Sequence, residues 1–186
     1  MIKDKELTPK VQDKEKKKIK SRIIAVGASA GGLEALKAFF SGIPNEDNNT
    51  YIVIQHLSPD YKSMMGELLA KSTKFPIKQI KDGTKVKDKT IYLIPPKCNL
   101  RIKDGILKLE EKPLGTHLNL PIDIFLESLA EYKKKKAIAV ILSGTGSDGS
   151  RGIRALKDND GMVMVQDPNE AKFDGMPKSA IQTGLV

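Results

Sequence analysis

Apolar runs of four to seven residues alternate with stretches of helical spacing along most of this chain. "RIIAV" (22–26) predicts a strand and "GLEALKAFFSGI" (32–43) a helix. "YIVIQHL" (51–57) reads as a second buried strand, "SMMGELLAKS" (63–72) as a helix and "IKQI" (77–80) as a short strand. Continuous apolar strands set between helices predict parallel strands covered on both faces. Residues 81–112 interrupt the rhythm. Lys81–Asp82–Gly83 and Lys103–Asp104–Gly105 are turn signals, flanked by "TIYLIPP", "NLRI" and "ILKLEE". They predict an antiparallel meander inserted in the α/β pattern, with Pro95–Pro96 ending its strand. The alternation then resumes. "LPIDIFLESLAEYKK" (120–134) is an amphipathic helix with Pro121 near its start, "AIAVILS" (137–143) a strand, and "SRGIRALKDN" (150–159) a helix. "GMVMVQD" (161–167) predicts a last strand and "PKSAIQTG" (177–184) a last short helix. The fold class expected is α/β, a doubly wound, mostly parallel sheet with an antiparallel β-hairpin insertion.

Charge refines the domain picture. The chain has 186 residues and a net charge of +9, of which residues 1–22 carry +5. Residues 1–21 therefore read as a disordered, lysine-rich leader, and 22–186 as one domain long enough for a full core. The leader has no aromatic residues to read bases, so no nucleic-acid function is expected, and it has no apolar core of a secretory signal. No apolar run approaches the ~20 residues of a membrane span, so no membrane insertion is expected. Lys133–Lys136 reads as a solvated helix end. Cys98 is the single cysteine, which fits a cytoplasmic protein, and one Cys with two His is a poor zinc set, so no metal is expected. The end at Gly184–Leu185–Val186 reads as a point inside a longer protein.

In a doubly wound sheet, sites form beyond the carboxyl ends of the strands. Three strand ends here carry reactive residues: Gly27–Ala28–Ser29–Ala30–Gly31, Gln55–His56–Leu57–Ser58–Pro59–Asp60, and Gly144–Thr145–Gly146–Ser147–Asp148–Gly149. The first fits G-x-S-x-G at a strand–turn–helix junction, as an exposed nucleophile requires. Taken singly, each has a plainer explanation: a Gly-rich turn, a structural histidine, and a helix N-cap for Asp148. Together they supply nucleophile, base and orienting acid, and point to a hydrolase. Two alternatives stand beside it. Gly144-x-Gly146-x-x-Gly149 has the letters of a Rossmann nucleotide-binding loop, with Asp167 near the position of a ribose-binding acid. Against it, Asp148 puts negative charge where a pyrophosphate would sit. The other alternative is a catalytically silent receptor-binding module.

"VGASAGG", "VIQHLSPD", "IYLIPPKCNL", "ILSGTGSDGSRGIRALKDNDGMVMVQDP" and "FDGMPKSAI" stand in one order over about residues 21–186, and in this the chain resembles the CheB family of chemotaxis-receptor methylesterases. The resemblance implies a doubly wound parallel sheet with an antiparallel hairpin and a protein-glutamate methylesterase. Such an enzyme hydrolyses glutamyl methyl esters on the cytoplasmic helices of methylated chemoreceptors, and some members also deamidate glutamines there. It implies a Ser29–His56–Asp148 triad, an oxyanion hole from the backbone N–H groups of Ala30 and Thr145, and no cofactor. The family usually has Thr at the position of Ala30 and Met at that of Thr145; backbone donors tolerate both changes. His117 is a candidate for the entrance of the site, and Asp60 and Arg151 are candidates for substrate contact. Met176 and Phe173 are expected in the core or at the rim. The lysine-rich leader stands where the family has a receiver domain. That layout resembles members in which this domain begins a longer chain fused to a CheR-type methyltransferase domain.

Overall fold

The computed structural model describes residues 21–55, 64–112 and 118–186. The leader, apart from its last residue, therefore lies outside the described residues. Among those described, six strands form one sheet in which every pairing is parallel. They are β1 (Ile23–Ala28), β2 (Thr50–Gln55), β3 (Ile77–Gln79), β5 (Ile91–Leu93), β8 (Ala137–Ile141) and β9 (Met162–Val165). Their order across the sheet is β3-β5-β2-β1-β8-β9. The chain winds outward from β1 to one side through β2, β5 and β3, and later fills the other side with β8 and β9. The order thus reverses between β1 and β8, and the sheet's crevice opens there.

Alternation along β1 explains why both faces must be covered. Ile23 and Ala25 enter one cluster with Phe125, Leu126 and Leu129 of α3 (Pro121–Lys133), Ile153 and Leu156 of α4 (Ser150–Asp158), and Met176 of α5 (Gly175–Gln182). Ile24, Val26 and Ala28 enter a second cluster with Leu36 and Phe40 of α1 (Gly32–Ser41) and Met65 and Leu69 of α2 (Met65–Ala70). Burying each such aliphatic or aromatic side chain contributes ~1.5–3 kcal/mol. Pro121 occupies the start of α3, as expected from its missing N–H. No helix of the described residues is long and apolar enough to cross a membrane.

The insertion is real, with one correction. A separate antiparallel sheet contains β4 (Thr84–Lys85), β6 (Cys98–Lys103) and β7 (Ile106–Glu111) in the order β4-β7-β6. Asp104 and Gly105 join β6 to β7 with φ of 52° and 77°, the positive values that a tight hairpin turn needs. The "TIYLIPP" run does not join this sheet. Its Ile91–Leu93 forms β5, parallel between β3 and β2. Three residues carry too little pattern to show their partner; Tyr92 is nonetheless buried like any central-strand residue. β5 ends at Leu93, ahead of Pro95–Pro96. The hairpin sheet buries Leu100, Ile102 and Leu107 in the α3 cluster, and the Ile102 amide donates to Ser128 Oγ at 3.1 Å. The Lys-rich run ends α3 at Lys133 and continues as a single 3-10 turn over Lys134–Lys136.

Candidate active site

Ser29 follows β1 directly, at the point where the strand order reverses. Gly31 closes the turn before α1 with φ 68°, a left-handed conformation that a residue with a side chain adopts only under strain. Two hydrogen bonds to Ser143, just beyond β8, hold this turn, and a third ties Ser143 to Phe173. The Ser29 amide donates to the Ser143 carbonyl at 3.0 Å. The Ser143 hydroxyl donates to the Ala30 carbonyl at 2.8 Å and accepts from the Phe173 amide at 3.0 Å. Ser143 thus struts the serine turn against the segment before α5. Nothing in the sequence set it apart from its apolar neighbours except its place at a strand end.

The next residue, Gly144, backs the serine. A Cβ at Gly144 would lie 2.9 Å from the Ser29 Cβ and would collide with the Met176 sulfur. The Gly144 amide donates to the Phe173 carbonyl at 2.9 Å, and its own carbonyl accepts from the Met176 amide at 2.8 Å. Met176 is buried in the core and Phe173 is 40 % exposed.

The β8–α4 loop then turns outward. Thr145, Gly146 and Ser147 are exposed, whereas Asp148 is 6 % exposed. Asp148 does not cap the helix it precedes: Gly149 holds that position, with no side-chain cap. Instead its carboxylate accepts the amides of Ile122 (3.1 Å) and Asp123 (3.0 Å), in the first turn of α3. It caps a neighbouring helix, at the positive end of that helix's dipole. These two are not its only interactions. Asp123, 1 % exposed, returns the arrangement by accepting the Gly152 amide of α4 at 2.8 Å. Burial pushes its carboxyl above the usual range and the nearby Asp148 adds to this, while the Gly152 amide and Arg151 pull the other way.

Ser29, Thr145 and Asp148 line one cavity of about 250 Å³ with Asn119, Ile122 and Met176. Among the described residues, the Ala30 and Thr145 amides donate to no acceptor, while the Ser29 amide is used by Ser143. Arg151 does not line this cavity. It is 65 % exposed and lies 3.5 Å from Asp123 and 3.6 Å from Glu127. Asp167, the acid named for a ribose, accepts two hydrogen bonds from Asn169 within its own turn. His56, Asp60 and His117 lie outside the described residues. The last described residue before His56, Gln55, pairs in register with Ala28, the residue before Ser29.

A model of the CheB methylesterase family matches residues 24–186. The chain belongs to the CheB methylesterase family. The crystal structure of the Thermotoga maritima CheB methylesterase catalytic domain superposes with a TM-score of 0.81 at 28% identity, covering 90% of this chain and 91% of that one. A protein-glutamate methylesterase/protein-glutamine glutaminase of Pseudomonas syringae is 30% identical over 162 residues, 87% of this chain and 48% of its own length. An uncharacterized 104.1 kDa protein of Rhodobacter capsulatus is 43% identical over 122 residues, 66% of this chain and 13% of its own length. The chain thus spans half or less of the length of these two relatives. Membership in this family gives no support to nucleotide binding at the Gly144–Gly149 loop.

Proposed function

We propose that this chain is the catalytic domain of a protein-glutamate methylesterase that hydrolyses glutamyl methyl esters on the cytoplasmic helices of chemoreceptors and deamidates glutamines there. Its site of action is the cytoplasm, and its chain partner is a fused or associated CheR-type methyltransferase domain. In this reading His56 takes the proton of Ser29 as the hydroxyl attacks the ester carbonyl. Asp148 orients the imidazole and balances its charge. The Ala30 and Thr145 amides hold the oxyanion; losing one such donor typically costs ~10²–10³ in rate. Methanol leaves with the proton from His56, and water then cleaves the acyl-enzyme to restore Ser29 and release a glutamate carboxylate. No cofactor enters the sequence of steps. His117 and Asp60 are the substrate contacts proposed at the entrance. Arg151, turned to Asp123 and Glu127, is proposed to meet substrate only through its solvent-facing side.

One observation carries the reading: Ser29 and Asp148 line one cavity. In support, the two amides that the mechanism needs have no acceptor among the described residues. The test is methanol release from methylated receptor by the wild type, Ser29→Ala, His56→Ala and the double variant. Each single change is expected to remove at least ~10³-fold of the rate, with the double hardly worse, because the groups act as one unit. A Ser29→Ala protein with near-normal release, or losses that multiply, would sink the triad.

A further inference from the structure

A trans peptide sets its N–H opposite its C=O, so holding one carbonyl aims the amide of the next residue. Both amides assigned to the oxyanion are aimed in this way. The Ser29 carbonyl accepts the Gly32 amide at 2.9 Å, which orients the Ala30 N–H. The Gly144 carbonyl accepts the Met176 amide at 2.8 Å, which orients the Thr145 N–H. The first of these sits in a turn through Gly31, which at φ 68° has no Cβ to restrain the Ala30–Gly31 peptide. The Ser143 hydroxyl supplies that restraint. It donates to the Ala30 carbonyl at 2.8 Å and accepts the Phe173 amide at 3.0 Å. The Phe173 carbonyl in turn accepts the Gly144 amide at 2.9 Å. One hydroxyl thus completes a run of hydrogen bonds from the peptide beside Ala30 to the peptide before Thr145. Ser143 is itself held firmly. It is 1 % exposed, its amide donates to Gln166 Oε1 at 2.8 Å, and its carbonyl accepts the Ser29 amide at 3.0 Å.

We propose that Ser143 is a positioning residue of the hydrolytic centre: its hydroxyl locks the Ala30–Gly31 peptide and so fixes the spacing of the Ala30 and Thr145 amides that receive the oxyanion. The proposal deepens the esterase reading and rests on it. Without the hydroxyl, the Ala30 carbonyl and the Phe173 amide lose their shared partner. The peptide can then rock about the glycine, and the Ala30 N–H is no longer held in line when the tetrahedral centre forms. The loss falls on the transition state, where the negative oxygen develops, and not on binding of the uncharged ester.

The test compares wild type, Ser143→Ala and Ser143→Cys in methanol release from methylated receptor, with kcat normalised to the folded fraction from circular dichroism. A second measurement is the affinity for a receptor peptide in which a trifluoromethyl ketone replaces the methyl ester. Ser29 adds to that ketone and leaves an oxyanion where the reaction forms its own. Ser143→Ala is expected to lower kcat about 10–100-fold with KM unchanged, somewhat less than the loss of a whole donor. Its affinity for the ketone should fall by the same factor as kcat, because the adduct mimics the transition state. Ser143→Cys keeps the volume with a weak donor and is expected to lie between wild type and Ser143→Ala in both measures. A merely structural serine lowers Tm or the folded fraction and leaves the normalised kcat and the ketone affinity unchanged. That result overturns the proposal, as does a loss confined to KM, or a ketone affinity that does not follow kcat. Should Ser143→Ala not fold, Ser143→Cys decides by the same two measures. Ser29→Ala separates the two failures: if it releases methanol like the wild type, the esterase reading falls and the proposal with it, whereas if it is inactive beside a fully active Ser143→Ala, only the role of Ser143 falls.

Discussion

Gly144→Ala adds one methyl group at the back of the nucleophile. The new Cβ would sit 2.9 Å from the Ser29 Cβ and collide with the Met176 sulfur. Comfortable carbon–carbon contact needs about 3.5–4.0 Å, so roughly half an ångström to an ångström must be found. The sulfur ends a flexible side chain and can swing. The Ser29 Cβ cannot move alone, because it is bonded to a backbone that Ser143 holds through the 3.0 Å amide bond. The strain therefore divides into two readouts. Overpacking against Met176 is expected to lower stability by ~1–3 kcal/mol. At about 2–4 °C per kcal/mol for a domain of this size, Tm falls by ~2–12 °C. Displacing Ser29 by close to an ångström is expected to lower kcat ~10²-fold. A double-mutant cycle with Met176→Ala separates the effects. Met176→Ala itself costs ~2–5 kcal/mol, since the side chain is buried. In that background Gly144→Ala should cost less stability than it does alone, yet the same loss of kcat should remain. Methanol release and thermal denaturation measure the two quantities on the same samples. A Gly144→Ala protein within twofold of wild-type kcat, or a double variant that regains the lost rate, would refute the idea that Gly144 is kept small for Ser29.

Two further outcomes are expected. Asp148→Asn keeps one acceptor oxygen but turns an NH₂ group toward an α3 amide, so it should lose ~1.5–3 kcal/mol of stability in thermal denaturation as well as turnover, though less turnover than Ser29→Ala; an unchanged Tm would show that the cap contributes nothing. Deleting residues 1–19 should leave Tm and esterase rate nearly unchanged, because that segment is strongly charged and precedes β1; a large fall in either would mean that the leader packs on the domain.

The apolar runs and helical spacings along the chain were enough to determine most elements of the α/β sheet and the strand ends that carry Ser29 and Asp148. Burial on both faces demands continuous apolar strands, and that demand is written locally, so β1, β2, β8 and the helices after them could be read directly. The G-x-S-x-G turn was equally legible, because small residues at a strand–helix junction are a local steric requirement. Pairing was not. Three residues at 91–93 say "strand" without saying beside which, and only the assembled sheet put β5 between β3 and β2. The roles of Ser143, Asp123 and Gly144 belong to the same class. A serine hydroxyl reaching the Ala30 carbonyl and a carboxylate of one helix capping the next join positions 29 to 113 residues apart. Taken alone, Asp148 reads from sequence as the cap of its own helix; the α3–α4 packing gave its carboxylate to α3 instead. Local sequence sets which groups need partners, but which group arrives as partner depends on how helices and strands pack in three dimensions.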